Sequence, residues 1–342
     1  MLAAVDLGLI YALMALGVYI TFRVLDFADL TVDGSLVTGG AVAATGILAG
    51  WSPLLATILG FLCGCAAGAV TGILNTFGKI NPLLSGILTQ IALYSINLRI
   101  MGKANRGLSY NTHTLLSWMG DADLFATWQS VSIFAVMALG FGAVLTWFLT
   151  TNVGLGMQAT GNNSLMARAQ GVHTSGMVIL GLAISNGLVA ASGALLAQYQ
   201  GFADISMGVG TIVVGLASVI IGQAIFGSRP VWRAVIAVIL GSVIYRFVIQ
   251  LALSLNIGLK PSDMKIISAV LVLAALLIPK LAVVQRLTRN RHEEEIAKQV
   301  LAADLAAVGH PGPGVVTTSG IGTGTMSGSA GPDTVPQAGG AR

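Results

Sequence analysis

TTNVGLGMQATGNNSLMARAQGVHT, residues 150–174, is a polar interlude set between two long apolar runs. Gly154, Gly156, Gly161 and Gly171 bracket a stretch, Gln158 to Gln170, whose spacing predicts one amphipathic helix lying across a membrane surface. Such a helix has the shape of a docking element. Its small residues Ala159, Gly161 and Ala167 allow close backbone approach, Met157, Leu165 and Met166 can fill pockets, and Arg168 can pair with an acidic rim. An interfacial helix resting on lipid would carry a Lys/Arg belt, whereas the polar face here is Asn162, Asn163 and Ser164.

Outward from this loop the chain is almost entirely apolar. With 55% hydrophobic and 9% charged residues over 342 positions, it falls far below the roughly one-quarter charged fraction of soluble domains. It reads as an all-α polytopic membrane protein with about nine transmembrane helices. The expected spans are Ala3–Thr21, Ser35–Gly50, Leu54–Thr76, Leu83–Met101, Ser130–Thr150, Gly176–Ala197, Gly208–Phe226, Val231–Leu253 and Met264–Leu281. Ser35–Gly50 is short for a crossing, which allows a tilted, broken or re-entrant helix there. The first span has no basic n-region and no cleavage site, so it reads as a retained helix.

The charge pattern sets an expected orientation. Placing Arg23, Lys79, Arg168, Arg229, Arg233 and the basic tail inside gives a cytoplasmic excess of Lys and Arg, with the N-terminus outside and the C-terminus in the cytoplasm. The tail supplies that excess, and the same orientation puts the 150–174 loop in the cytoplasm. Three regions follow: a transmembrane domain over 1–281, a charged cytoplasmic helix over 282–308, and a Gly/Pro/Ser/Thr-rich disordered tail over 309–342. Arg286, Arg289 and Arg291 are placed to meet anionic lipid.

Enzyme chemistry finds little footing. Cys63 and Cys65 point about 200° apart on a helix and read as packing residues, so no metal site is expected. Gly72–Lys79 (GILNTFGK) has the wrong spacing for a phosphate loop, and no HExxH or GxSxG motif occurs. No cofactor and no nucleic-acid partner are expected. Arg246, with Gln250 one turn on, is the clear intramembrane charge and reads as snorkelling or as a structural pair with a neighbouring helix. Glycines at 64, 68 and 72, and at 181, 187 and 193, read as close-packing faces. Asp33, ahead of Gly34-Ser35, reads as the cap of the next helix, and Asn81-Pro82 as a helix start.

Two stretches carry a resemblance. The loop and the span after it resemble the cytoplasmic loop of permease subunits in ATP-binding-cassette (ABC) importers of the branched-chain amino acid and ribose type, at Gly156, Ala159, Gly161, Asn162, Ala167, Gly171 and Val172. Near the N-terminus Asp29, Leu30, Thr31, Val32, Gly34 and Ser35 match that family's turn, while Asp33 departs from the sugar permeases and leaves amino-acid-like solutes favoured. The similarity spans about residues 8–281 and is closer to uncharacterised amino-acid-type permeases.

The resemblance implies a transport subunit of the bacterial cytoplasmic membrane, with ATP hydrolysis by a separate cytoplasmic ATPase docked on Gly156, Ala159, Gly161, Asn162, Met166, Ala167, Arg168 and Gly171. It also implies an extracytoplasmic solute-binding protein and a second permease, identical or sister. Gln90, Asn97, Ser185, Asn186 and Gln223 are the polar candidates for the pathway. The outer loop 102–129, with Arg106, Tyr110, Trp118, Asp121 and Asp123, is the expected binding-protein contact. An ion-coupled carrier working without an ATPase is the alternative.

Overall fold

The structure, a computed structural model, describes residues 2–108, 114–117 and 127–254, with 270 and 273. Apart from residues 270 and 273, the expected span Met264–Leu281 lies outside the described residues, as do the charged segment, the tail, Tyr110, Trp118, Asp121 and Asp123. Among the described residues ten α-helices run in chain order: α1 Leu2–Val18, α2 Thr31–Leu48, α3 Pro53–Thr76, α4 Pro82–Met101, α5 Trp128–Thr150, α6 Asn152–Asn162, α7 Ser164–Ala169, α8 Thr174–Gln200, α9 Thr211–Phe226 and α10 Val231–Ser254. Seven of the apolar helical segments among the described residues are long enough to cross a membrane, and α9 is a shorter apolar helix. The fold is all-α and polytopic, as the apolar pattern implies.

The helix starts follow local chemistry. Ser52 and Asn81 accept from the backbone N–H groups of Leu55 and Leu83, each followed by a proline whose missing N–H costs nothing at a first turn. Thr127 and Ser130 form a reciprocal capping box at α5. Gly102 and Gly201 end α4 and α8 in the left-handed region that glycine adopts freely.

α8 is the central post, packed on α1, α2 and α3. Small residues set the spacing: a Cβ on Gly39 would overlap the Ala190 carbonyl, and one on Gly193 the Leu36 carbonyl. Gly64 and Gly68 sit in the same way on the backbones of Asn186 and Leu182. Serine hydroxyls tie α1 to its neighbours, Ser192 donating to Ile10 O (2.8 Å), Ser185 to Gly17 O (2.7 Å) and Ser242 to Gly8 O (2.6 Å).

Three local expectations need correction. The helix around Asp33 is continuous from Thr31 to Leu48, and the irregular stretch precedes it: α1 passes into a π-helical turn, Tyr19–Val24, and then into an irregular link in which Asp26 is left-handed at φ 53°. Asp29 restarts the helix by accepting from Thr31 N at 2.9 Å. The 158–170 segment is two helices, α6 and α7, because Asn163 turns extended (φ −159°) and caps α7 through Met166 N at 3.0 Å. Asp33 does not cap α2. It lies inside the first turn of α2 and caps α9 instead.

A short antiparallel ribbon pairs β1 Asn105–Gly107 with β2 Phe202–Asp204, joining the ends of α4 and α8. Burial pushes the Asp204 carboxyl up, but donors on Ser206 and Asn105 outweigh it and hold the group below the usual carboxylate range. From this ribbon, residues 205–210 turn back along α2, Met207 resting at Gly40 and Gly208 at the Asp33 carbonyl. α9 therefore starts inside the bundle, about halfway along α4. Irregular backbone at such depth is tolerated where protein buries it or where it lines a cavity.

Candidate functional site

Two places combine exposed or unpaired polar groups with a built framework. The first is the α6–α7 loop. Thr151 caps α6 through Gly154 N, and Gly171, at φ +84°, turns the chain from α7 toward α8. The inward side is Met157, Thr160 and Ala167, all buried. A Cβ on Gly161 would meet the Val24 carbonyl, so α6 lies directly against the π turn of the first span. Met157 fills the space beside Gly181 and Leu25 within this chain and is not available to a partner.

The outward side carries Ala159, Asn162, Met166, Arg168 and Gly171, with Leu165 at 80% exposure. Gly156 sits between, near Val172 and Met177. Arg168 is held by its donation to Thr174 Oγ1 at 3.1 Å, which fixes the guanidinium at the foot of α8. Two apolar side chains, Leu165 and Met166, ringed by asparagines and one arginine, make a compact exposed patch.

The second place is a cavity of about 360 Å³ between α2, α4 and the 205–209 segment. Two of the expected pathway residues, Gln90 and Asn97, line it together with Asp33, Tyr94 and Ser95. Asp33 closes one wall and is fully engaged: Oδ2 accepts from Gly210 N (2.9 Å), and Oδ1 from Ile212 N (2.8 Å) and Thr211 Oγ1 (3.0 Å). A carboxylate on a helix N-terminus is favoured by the orphan N–H groups and the helix dipole. Asn97 is fully buried; its Nδ2 donates to Gly34 O at 3.2 Å, and its Oδ1 has no partner among the described residues.

The other polar candidates lie elsewhere. Asn186 is the hub of a buried network, donating from Nδ2 to Asp29 Oδ2 (2.7 Å) while its Oδ1 accepts from Ser35 (2.7 Å). Thr31, Thr71 and Thr89 extend that network from α2 through α3 to α4 at 2.8 and 2.9 Å. Ser185 faces α1, and the Nε2 of Gln223, on α9, is buried without a hydrogen-bond partner among the described residues. Arg246 lies over the Tyr11 ring at 3.8 Å, a pairing with the neighbouring helix α1.

A polytopic helical bundle with a capped half-buried helix, a polar cavity on its inner elements and a rigidly seated loop between two spans has the build of a transport permease. The chain belongs to the family described as branched-chain amino acid transport system, permease component, which it matches over residues 1–278. It is 44% identical over 273 residues to a tyrosine transport system permease protein of Clostridioides difficile, covering 79% of this chain and 88% of that one. An uncharacterised Rickettsia prowazekii protein is 33% identical over 280 residues, covering 81% of this chain and 96% of that one. The ribose import permease protein of Escherichia coli K12 is 23% identical over 273 residues, with 78% and 81% covered. No solved structure matches. The protein is thus a multi-pass membrane permease component of an ABC importer, a transport subunit whose ATPase is a separate chain.

Proposed function

We propose that this permease imports an amino acid or a closely related small solute by alternating access, driven by a cytoplasmic ATPase docked on the α6–α7 patch. The observation that carries the docking half is the contact of Gly161 with the Val24 carbonyl. Through it a push on α6 reaches the π turn, the link to Asp29, and from there α2 and Asn186. ATP binding closes the ATPase pair, the loops move as levers, and the pathway changes its exposed side.

Within this reading the α6–α7 end and the C-terminus are cytoplasmic, and the β1–β2 ribbon end faces the solute-binding protein. A second permease chain, identical or sister, completes the pathway, and lipid covers the remaining apolar faces. The tyrosine system of the 44% relative and the departure at Asp33 both favour an amino acid over a sugar. An ion-coupled carrier needs a carboxylate free to exchange protons or ions. Asp29 and Asp33 have both oxygens engaged, which favours the ATP-driven reading.

The test is uptake into proteoliposomes holding the permease with its operon's ATPase and binding protein. Tyrosine accumulation is expected with ATP present, and none when the ATPase Walker lysine is replaced. Accumulation driven by a proton or sodium gradient without the ATPase would contradict it.

A further inference from the structure

A groove runs between α5 and α10 at the end of the bundle that carries the α6–α7 loop. Ser130 donates to Asp6 Oδ2 at 2.8 Å and Ser242 to Gly8 O at 2.6 Å, so the start of α5 and the later turns of α10 meet the same end of α1. The two helices are therefore antiparallel, and Trp147 and Trp232 come together at the other end. Gly142 and Ala143 hollow one wall, Val235 and Ile239 form the facing one, and the space between them is about 520 Å³. A Cβ on Gly142 would lie 3.0 Å from Val235 and from Ile239, so the helices touch along the floor of the groove. Thr146 spends its hydroxyl on Gly142 O at 2.8 Å, which leaves the walls apolar. From Trp232 to Ile239 the groove is about 10 Å long, at 1.5 Å per residue.

We propose that this groove holds an acyl chain of one anionic phospholipid, with its headgroup at Arg229 and Arg233. An apolar slot by itself selects no lipid; the charge at its mouth does. Arg233 lies with Cζ 5.2 Å from the centroid of the Trp232 ring, and both side chains are exposed, as are Arg229 and Trp147. Arginine and indole N–H groups donate and do not accept, so the mouth matches a headgroup rich in acceptor oxygens. Basic pockets between spans are the places where anionic headgroups collect, and tryptophan favours the same depth. From residue 124 to 262 the sequence holds a single acidic residue, Asp204, in the ribbon at the opposite end of α8. No carboxylate of α5, α9 or α10 therefore neutralises the two arginines. The competing occupants lack the matching charge: the expected span Met264–Leu281 has no Asp or Glu, and a second copy of this face would bring the same arginines. The proposal needs only the membrane setting of the permease and nothing of the ATPase docking.

The experiment uses the full-length chain with Trp51→Phe, Trp118→Phe and Trp128→Phe, which leaves Trp147 and Trp232 as its tryptophans. It is reconstituted in phosphatidylcholine vesicles containing a small fraction of phosphatidylglycerol or phosphatidylcholine with brominated acyl chains, and quenching of tryptophan fluorescence is read. Each arginine near an anionic headgroup is worth about fivefold in binding. Brominated phosphatidylglycerol is therefore expected to quench at a mole fraction at least fivefold lower than brominated phosphatidylcholine. Arg233→Gln is expected to reduce that preference about fivefold, and the Arg229→Gln, Arg233→Gln pair to abolish it. Ala143→Phe, which fills the groove from its exposed wall and keeps both arginines, is expected to remove the preference as well. Equal quenching by the two lipids would show ordinary annular lipid only. Preference that survives the arginine pair or Ala143→Phe, or no quenching by either lipid because protein covers the groove, would equally overturn the site.

Discussion

Gly161→Val is expected to cut ATP-driven uptake by at least tenfold while the protein still extracts and purifies like the wild type. The added branched side chain would have to enter the space held by the Val24 carbonyl, and a backbone carbonyl cannot rotate aside as a side chain can. α6 must therefore lift from the π turn. The docking surface then moves off its seat, and a loss of about 1.4 kcal/mol in that coupling already equals a factor of ten. α6 packs chiefly on α5, α8 and the π turn at the loop end of the bundle, so the span-to-span core around α8 is left intact. Even Gly161→Ala meets the same carbonyl and is expected to lose much of the uptake. The check is uptake per mole of reconstituted complex; full activity of the valine variant would show that the Val24 contact carries no coupling.

Asn186→Leu is the second large effect, and it acts on stability. An ordinary interhelical hydrogen bond in a membrane protein is worth only ~0.6 kcal/mol, so the neutral Thr31–Thr71–Thr89 chain is a modest contributor. Asn186 differs because one of its bonds goes to the buried Asp29 carboxylate. Removing the donor of a hydrogen bond to a buried charged group costs about 1.5–3 kcal/mol, a sizeable share of a typical 5–15 kcal/mol stability. The leucine variant is therefore expected to unfold well below the wild type in a detergent thermal melt, and Thr71→Val to shift the melt only slightly. Equal shifts for the two variants would mean that Asp29 does not depend on Asn186.

The spans were legible because a run of apolar residues long enough to cross hydrocarbon has few alternatives, and the close-packing role of Gly64, Gly68 and Gly193 follows from having no side chain at a crossing. Asn81-Pro82 was equally plain, since cap and proline act within one turn. The features that escaped are those whose cause lies far along the chain. Asp33 sits where a local cap is expected, yet its partners are 177 to 179 positions away, brought near only when 205–210 folds back along α2. The ribbon joins strands of three residues each, too short to show an alternating pattern. The break at Asn163 had a local signal, an asparagine three residues before the Met166 amide, masked by helical periodicity on both sides.

The candidate sites divide along the same line. The loop was readable as a polar interruption, but which of its residues face outward was not: Met157 and Ala167 turn inward against this chain, whereas Asn162, Met166 and Arg168 stay exposed. Gln90 and Asn97 fall seven positions apart, two turns of α4, and come to one cavity together. Ser185 and Asn186 are neighbours in sequence and point to different helices, one to α1 and the other to α2 and Asp29.

The most direct measurement of the central claim is co-purification of the detergent-solubilised permease with its operon's ATPase, comparing the wild type with a Gly161→Trp, Arg168→Glu double variant. The account predicts a stable complex with the wild type that the double variant loses, although both chains purify as folded protein. An ATPase retained equally by both, or held by neither, would contradict docking on the α6–α7 loop.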